Sequence, residues 1–177
     1  TGLHGPFQKE WEHAADDEVR KLLTTTKTMA PVLKCDIPVD RRGDITYYNR
    51  VAREKIKEGV HQRRVRGTAG GDRINYTGPV TARTASLEAV RALLNSTLAD
   101  NADFCTADIT DYYLGTPMAR PEFLRMTRKQ LSQTIIDEYI LEPYFDKDII
   151  HFQVNKGMYG LPKAGLLAQQ RLVTHLG

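Results

Sequence analysis

Between residues 7 and 23, Phe7, Trp11, Ala15, Val19 and Leu22 recur at steps of three and four, which commits the stretch to an amphipathic helix. Pro6 stands at its start, where a missing N–H costs nothing. Acidic Asp16, Asp17 and Glu18 precede Arg20 and Lys21, and the polar residues mostly take the other faces. Asp16 and Asp17 are consecutive and point about 100° apart, so surface solvation explains them better than a metal does. A chain of 177 residues and 20.0 kDa can bury a sizeable core as one domain, or as one large piece of a longer protein.

A second helix is predicted over 86–99, with Leu87, Val90, Leu93, Leu94, Thr97 and Leu98 as its apolar stripe, Ser86 as its cap and Glu88 in its first turn. Pro162 opens a final helix through Leu167, Leu172 and Leu176. Residues 24–44 read as a loop with short extended pieces ending at Arg41-Arg42-Gly43-Asp44, and Ile45 to Val65 is ambiguous between strand and helix. Phe104 to Ile109 alternates like a short strand, which makes Cys105 a buried small hydrophobe. The turn signal Asn155-Lys156-Gly157 between His151–Val154 and Met158-Tyr159 predicts a β-hairpin.

Composition excludes several classes. Hydrophobic residues make up 41% and charged residues 27% of the chain, as in globular proteins and unlike disordered or collagenous ones. No apolar run approaches the roughly 18 residues of a membrane span. Two cysteines, Cys35 and Cys105, with no Cys-x-x-Cys pair fit neither structural zinc nor a secreted disulfide scaffold, and a reducing intracellular compartment is expected. The chain starts at Thr1 without a signal peptide and reads as excised from something longer.

Charge is unevenly spread. The formal net charge is +3, yet residues 41–73 hold 10 basic and 4 acidic side chains, including Arg50, Arg53, Lys55, Lys57, Arg63, Arg64, Arg66 and Arg73. With Gly67, Gly70 and Gly71 among them, this segment suits a polyanion, because guanidinium forks and bare backbone both reach phosphate oxygens; a solvated basic face is the alternative. Asp108-Ile109-Thr110-Asp111-Tyr112-Tyr113 places two carboxylates and two aromatics at a strand end. They suit a divalent cation such as Mg²⁺, or else an ordinary turn capped by Asp108 or Asp111.

The order of these motifs resembles the reverse transcriptase of copia-type retrotransposons. Gly5-Pro6 with Trp11, Ala14 or Ala15, Glu18 and Leu22 is similar to the helix that opens that domain. Arg63-Arg64-Val65-Arg66-Gly67 falls where the family has its basic fingers strand, and Thr81-Ala82-Arg83-Thr84 leads through the second helix to Asp108–Gly115, the first polymerase motif. Lys156 to Ala164 resembles the Leu-Tyr-Gly-Leu-Lys-Gln-Ala-Pro signature. The resemblance implies an α+β fold of right-hand polymerase fingers plus a partial palm, an antiparallel sheet with packed helices, truncated at its C-terminal side. Residues 1–177 would form a partial reverse transcriptase domain, about 1–100 fingers-like and about 101–177 the start of the palm.

Roles follow from the same resemblance. Asp108 matches the catalytic, metal-binding aspartate, with Ile109 beside it at the metal, and Mg²⁺ or Mn²⁺ is the implied cofactor. Asp111 and Tyr112 fall beside the incoming nucleotide, and Tyr113 matches the bulky gate that leaves no volume for a ribose 2′-OH. Tyr159 and Gly160 match a second motif beside nucleotide and template. Arg63, Arg64 and Arg66 all match the region that holds the triphosphate. Implied partners are an RNA or DNA primer–template, deoxynucleoside triphosphates, and the rest of the polyprotein with the remaining palm and RNase H. No membrane is implied, and the setting is intracellular, in a cytoplasmic virus-like particle or the nucleus.

The sequence departs from the family at Tyr112, where a small residue is usual, and at Gly165, where proline is common. The palm's aromatic-x-Asp-Asp motif does not occur in these residues, so the chain by itself is expected to be an inactive part of an RNA-directed DNA polymerase. Absent palm strands would leave an unpaired sheet edge and an apolar surface near Phe104 and Phe152, favouring association. Two other classes compete: a non-catalytic nucleic-acid-binding remnant of such a polymerase, and a metal-dependent phosphoesterase using Asp108 and Asp111. The five scattered histidines form no ligand cluster for the latter.

Overall fold

The computed structural model describes residues 5–74, 76, 78–82 and 84–177; Arg83 and His4 lie outside them. The protein is α+β, a curled mixed sheet with helices against it. The first helix, α1 (Gln8–Arg20), forms where the periodicity predicts it and buries Trp11, Ala15, Glu18 and Val19. One wider π turn, Lys21–Thr25, follows and buries Leu22. The strands are β1 (Met29–Val32), β2 (Thr46–Lys57), β3 (Val60–Ala69), β4 (Pro117–Thr127), β5 (Phe145–Asp146) and β6 (Ile149–Lys156). Helix α2 covers Leu87–Ala99, α3 Gln133–Glu138 and α4 Ala164–Leu176.

The sheet runs β1-β6-β4-β2-β3, with β5 also paired to β6. It is mixed rather than antiparallel throughout, because β2 joins β4 in parallel through Thr46 and Tyr47 opposite Leu124 and Arg125. Beyond that short seam β2 has only β3 as neighbour, so the two strands leave the sheet as a long antiparallel ribbon. The ambiguous stretch 45–65 is thus a hairpin, closed by Glu58 and Gly59 at φ 53° and 77°. Two consecutive positive φ angles suit the right-handed twist of the flanking strands. Helix α1 lies against β3 and gives this two-stranded ribbon the packed partner it needs.

The core lies where β4 and β6 meet α3 and the π turn, around Leu22, Leu124, Met126, Ile135, Ile150 and Phe152. Glu122 is fully buried on β4 and is neutralised by Arg41, with Nη2 2.6 Å from Oε2. The Tyr76 hydroxyl donates to the other oxygen at 2.8 Å. Burial and the adjacent Glu122 carboxylate both push the Tyr76 phenol up. A buried carboxylate needs such partners, and these tie the loop before β2 to β4.

Three expectations are corrected. Residues 104–109 form no strand but an irregular exposed stretch, with Phe104 58% exposed and Cys105 also exposed. A strand needs a ladder partner, and β1 and β3 form the edges of this sheet without it. Residues 151–159 form no hairpin: β6 runs on to Lys156, and Met158-Tyr159 turn away to the ribbon. Gly157 makes this crossing possible, since a Cβ there would lie 2.7 Å from the Tyr113 carbonyl oxygen. Phe152 is fully buried between β1 and β4, so the apolar surface expected near it does not exist.

Helix α2 forms with its predicted cap, the Ser86 hydroxyl accepting the Ala89 N–H at 3.2 Å, and its apolar stripe is exposed. Among the described residues no helix is long and apolar enough to cross a membrane.

Candidate functional site

Residues two apart in a strand share a face, and the β2–β3 register sorts the ribbon's side chains into two sets. One face carries Ala52, Glu54, Arg63 and Val65; the other carries Val51, Arg53, Lys55, Arg64, Arg66 and Thr68. The first meets α1, where Val65 packs with Trp11 and Ala15. At the open edge of β3 the buried Glu18 carboxylate accepts the Gly67 N–H at 2.9 Å. Arg63 belongs to this covered side. Its guanidinium lies 3.8 Å from the Phe7 ring centroid and pairs with Glu10, and with Glu54 at 3.1 Å.

Other cations of the basic stretch are also used internally. Arg41 neutralises Glu122, and Arg42 donates to the carbonyls of Ile37 and Cys35. On the open face the opposite holds. Among the described residues no carboxylate lies within ion-pair distance of Arg53, Lys55, Arg64 or Arg66. Four neighbouring cations without counter-charge make this face an attractor for anions.

The face ends on an aromatic pair. Arg66 stands 4.5 Å from the centroid of the Tyr159 ring, a cation–π contact. Tyr159 meets the ring of Tyr113 edge-on at 5.3 Å, and Tyr112 lies 5.8 Å from Tyr113. A pocket of about 220 Å³ opens between Tyr159 and the cations, and no acidic side chain lines it.

Backbone contact holds this arrangement. The Tyr159 carbonyl accepts the Ala69 N–H at 2.7 Å, so the turn after β6 is bonded to the root of the ribbon. Gly160 adopts φ +91°, and a Cβ there would run into the Ala69 carbonyl. Gly71 is held equally closely against the Gly160 carbonyl. Two glycines therefore let two backbones touch, which fixes Tyr159 relative to Arg66.

Of the first-motif residues, Asp108 and Ile109 are exposed on the irregular stretch, while Asp111, Tyr112 and Tyr113 are half-buried in the turn that follows. Asp111 has φ 54°, its carbonyl accepts the Gly115 N–H at 2.8 Å, and its carboxylate pairs with Lys21 at the end of α1. Tyr112 donates its hydroxyl to the Ala168 carbonyl on α4 and accepts the Thr116 hydroxyl at its own carbonyl, 2.8 Å away. Its ring is thus anchored to α4, with Tyr113 towards Tyr159.

The implied metal fits these residues poorly. Mg²⁺ takes about six oxygens, several from carboxylates or substrate. Among the described residues no three His, Cys, Asp or Glu side chains gather at a metal's reach. Asp108 with the Ile109 carbonyl is a partial donor set, and the nearby Asp111 carboxylate is already paired.

Structure thus brings Arg64, Arg66, Tyr159 and Tyr113 together, seats Gly160 behind them, and draws Arg63 to the opposite face. The sequence placed Arg53 and Lys55 in the basic segment without assigning them to the triphosphate, and it did not indicate the pairing of Lys21 with Asp111. The signal for the first two was the alternation itself, Arg53-x-Lys55 and Arg64-x-Arg66, once the stretch is taken as a hairpin. Lys21 had none, because its partner lies 90 positions away. No protein-family model, curated protein or solved structure matches this chain.

Proposed function

We propose that this chain is the fingers and the front of the palm of a copia-type reverse transcriptase, and that the open ribbon face holds the phosphates of an incoming deoxynucleoside triphosphate. The observation that carries this reading is the meeting of Arg64 and Arg66 with Tyr159 at one pocket, the Tyr159 ring in turn meeting Tyr113 edge-on. Two guanidinium groups on one strand, about 6.6 Å apart at their Cα atoms, offer planar forks to successive phosphate oxygens. Tyr113 would lie under the sugar, where its ring excludes a 2′-hydroxyl. Asp108 is the one motif carboxylate that these residues leave unpaired near the turn, so two-metal phosphoryl transfer requires carboxylates from the remaining palm. Such a polymerase works inside the cell, in a virus-like particle or the nucleus.

A second reading, a nucleic-acid-binding remnant without catalysis, rests on the same open cations of the ribbon face beside the Tyr159 ring. Both readings require the open face to meet phosphate, and one measurement tests that. A primer–template duplex and dATP are each titrated into the 177-residue chain at several salt concentrations. Changing Arg64 and Arg66 together to Ala should weaken duplex binding about tenfold or more and reduce the salt slope by about two, one per lost phosphate contact. Unchanged affinity and slope would reduce the face to a solvated surface. Magnesium-dependent primer extension by this chain alone, abolished by Asp108→Ala, would overturn the expectation that it is inactive by itself. Extension that appears only in a longer chain with an aromatic-x-Asp-Asp palm hairpin, and is lost with Asp108→Ala, would single out the polymerase over the remnant.

A further inference from the structure

The two edges of the β2–β3 ribbon are used differently. Along β3 outward N–H groups are taken: Gly67 donates to the Glu18 carboxylate at 2.9 Å and Ala69 to the Tyr159 carbonyl at 2.7 Å. On β2 the Tyr47 carbonyl accepts the Gly70 N–H at 2.9 Å, and the register from there to the turn is unbroken. Odd-numbered residues of β2 therefore turn their backbone groups towards β3, and even-numbered residues turn theirs outward. The seam with β4 covers Thr46, and the Gln130 side-chain amide donates to the Tyr48 carbonyl at 2.9 Å. Beyond Tyr48 the edge is open: among the described residues no group bonds the outward N–H or C=O of Arg50, Ala52, Glu54 or Ile56. This open stretch spans about 20 Å at the usual rise of a strand.

An unpaired strand edge is a template for another strand. Its alternating donors and acceptors are matched by a peptide backbone, whereas phosphate supplies acceptors only and leaves the carbonyls unmet. Flanking side chains select the peptide. On the open face the edge is bordered by Val51, Arg53 and Lys55, and the two cations have no counter-charge. The α1 side has Ala52, Ile56 at 67% exposure, and Glu54, which is already paired with Arg63. A cavity of about 530 Å³ adjoins that side, lined by Arg50, Gln130 and residues of α1 that include Glu12 and Asp16. Carboxylates are thus welcome on one face of an added strand and unfavourable on the other. A second copy of β2 would set Arg53 and Lys55 against their own kind, a like-charge pairing that strands avoid. We infer that the free edge of β2 is a docking strand for an extended acidic segment of a partner protein. That segment adds to the ribbon as a third strand, with carboxylates beside Arg53 and Lys55 and apolar side chains beside Ala52 and Ile56. The recognised pattern is an alternation of acidic and apolar residues, and it does not depend on the open face binding phosphate.

The test titrates the 177-residue chain into a labelled, end-blocked peptide of about eight alternating glutamates and valines, read by fluorescence anisotropy at about 0.15 M ionic strength. The peptide should bind below about 1 mM. An analogue with N-methylated backbone amides keeps every carboxylate but cannot pair as a strand, and should bind about tenfold more weakly or worse. Ala52→Pro removes an outward N–H and no bond to β3, so it should weaken the peptide about tenfold and leave primer–template duplex binding within about twofold of wild type. Arg53→Gln with Lys55→Gln should weaken the peptide about three- to tenfold, the scale of two exposed ion pairs. Equal affinity of the plain and methylated peptides would reveal charge attraction alone and overturn the inference, as would no binding at about 1 mM. Equal losses of peptide and duplex in Ala52→Pro would mean a damaged ribbon, and the methylated peptide then decides, since it alters no residue of the chain. Duplex binding without peptide binding sinks this role alone; peptide binding without duplex binding leaves it standing and removes the phosphate reading.

Discussion

The β2–β3 ribbon and the α2 helix carry equally clear patterns, one of period two and one of three to four, yet they end in opposite situations. The ribbon's inner face is taken up by α1: Val65 by Trp11 and Ala15, Gly67 by Glu18, Arg63 by Phe7 and Glu10. Helix α2 has the same kind of stripe, and its Leu98 is 79% exposed. A periodic pattern states which side of an element prefers burial. It does not state what covers that side, and among the described residues nothing covers this one.

The contrast is sharpest at Trp11. It is 8% exposed and is the large residue of the small cluster that joins α1 to the ribbon. Trp11→Ala should cost about 3 kcal/mol, the usual scale for truncating a buried aromatic, and urea unfolding measures it. The same change should weaken phosphate binding, because the open face depends on the ribbon's packing from behind. Loss of stability with unchanged binding would show that the ribbon keeps its shape without α1.

Acid should separate the two regions more gently. His151 is buried on β6, and its Nδ1 has no hydrogen-bond partner among the described residues. Burial lowers its pKa below the ordinary 6.5, Lys34 and Arg125 lower it further, and Asp146 opposes them. The unfolded chain therefore binds this proton more readily than the folded one, and stability falls as pH drops below about 6.5. The Asp146 carboxylate is likewise held low, chiefly by its hydrogen bond from Lys34, and its contribution is lost only on acidification below the ordinary carboxylate range. Urea midpoints at pH 7 and pH 5 should thus differ in wild type and converge in His151→Gln, with α2 helicity unchanged. A pH dependence that survives the substitution would assign the effect elsewhere.

Legibility of the sequence followed the range of the interactions. Helix α1 and capped α2 depend on residues three or four apart, and both could be read from the chain. The hairpin of residues 46–69 could not, because its turn uses Glu58 in a left-handed conformation that the residue type does not advertise. Residues 104–109 alternate like a strand, but alternation cannot supply a neighbour. The site divides in the same way. Arg64, Arg66, Tyr113 and Tyr159 were each visible as residue types within motifs, whereas the burial of Arg63 and the pairing of Lys21 with Asp111 depend on α1 folding against distant chain.

The smallest expected effect is the most discriminating for the comparison. Leu98 and Leu93 sit on the α2 stripe with their side chains mostly in water, so truncation removes little buried area. Alanine is also the better helix former, which offsets part of what is lost. Leu93→Ala and Leu98→Ala should each change stability by less than about 0.5 kcal/mol, against the roughly sixfold larger loss at Trp11. If either leucine instead cost about 2 kcal/mol or more, the stripe would be covered in solution, and the difference between ribbon and helix would disappear. A concentration-dependent loss would identify the cover as a second copy of the chain, since only association makes stability depend on protein concentration.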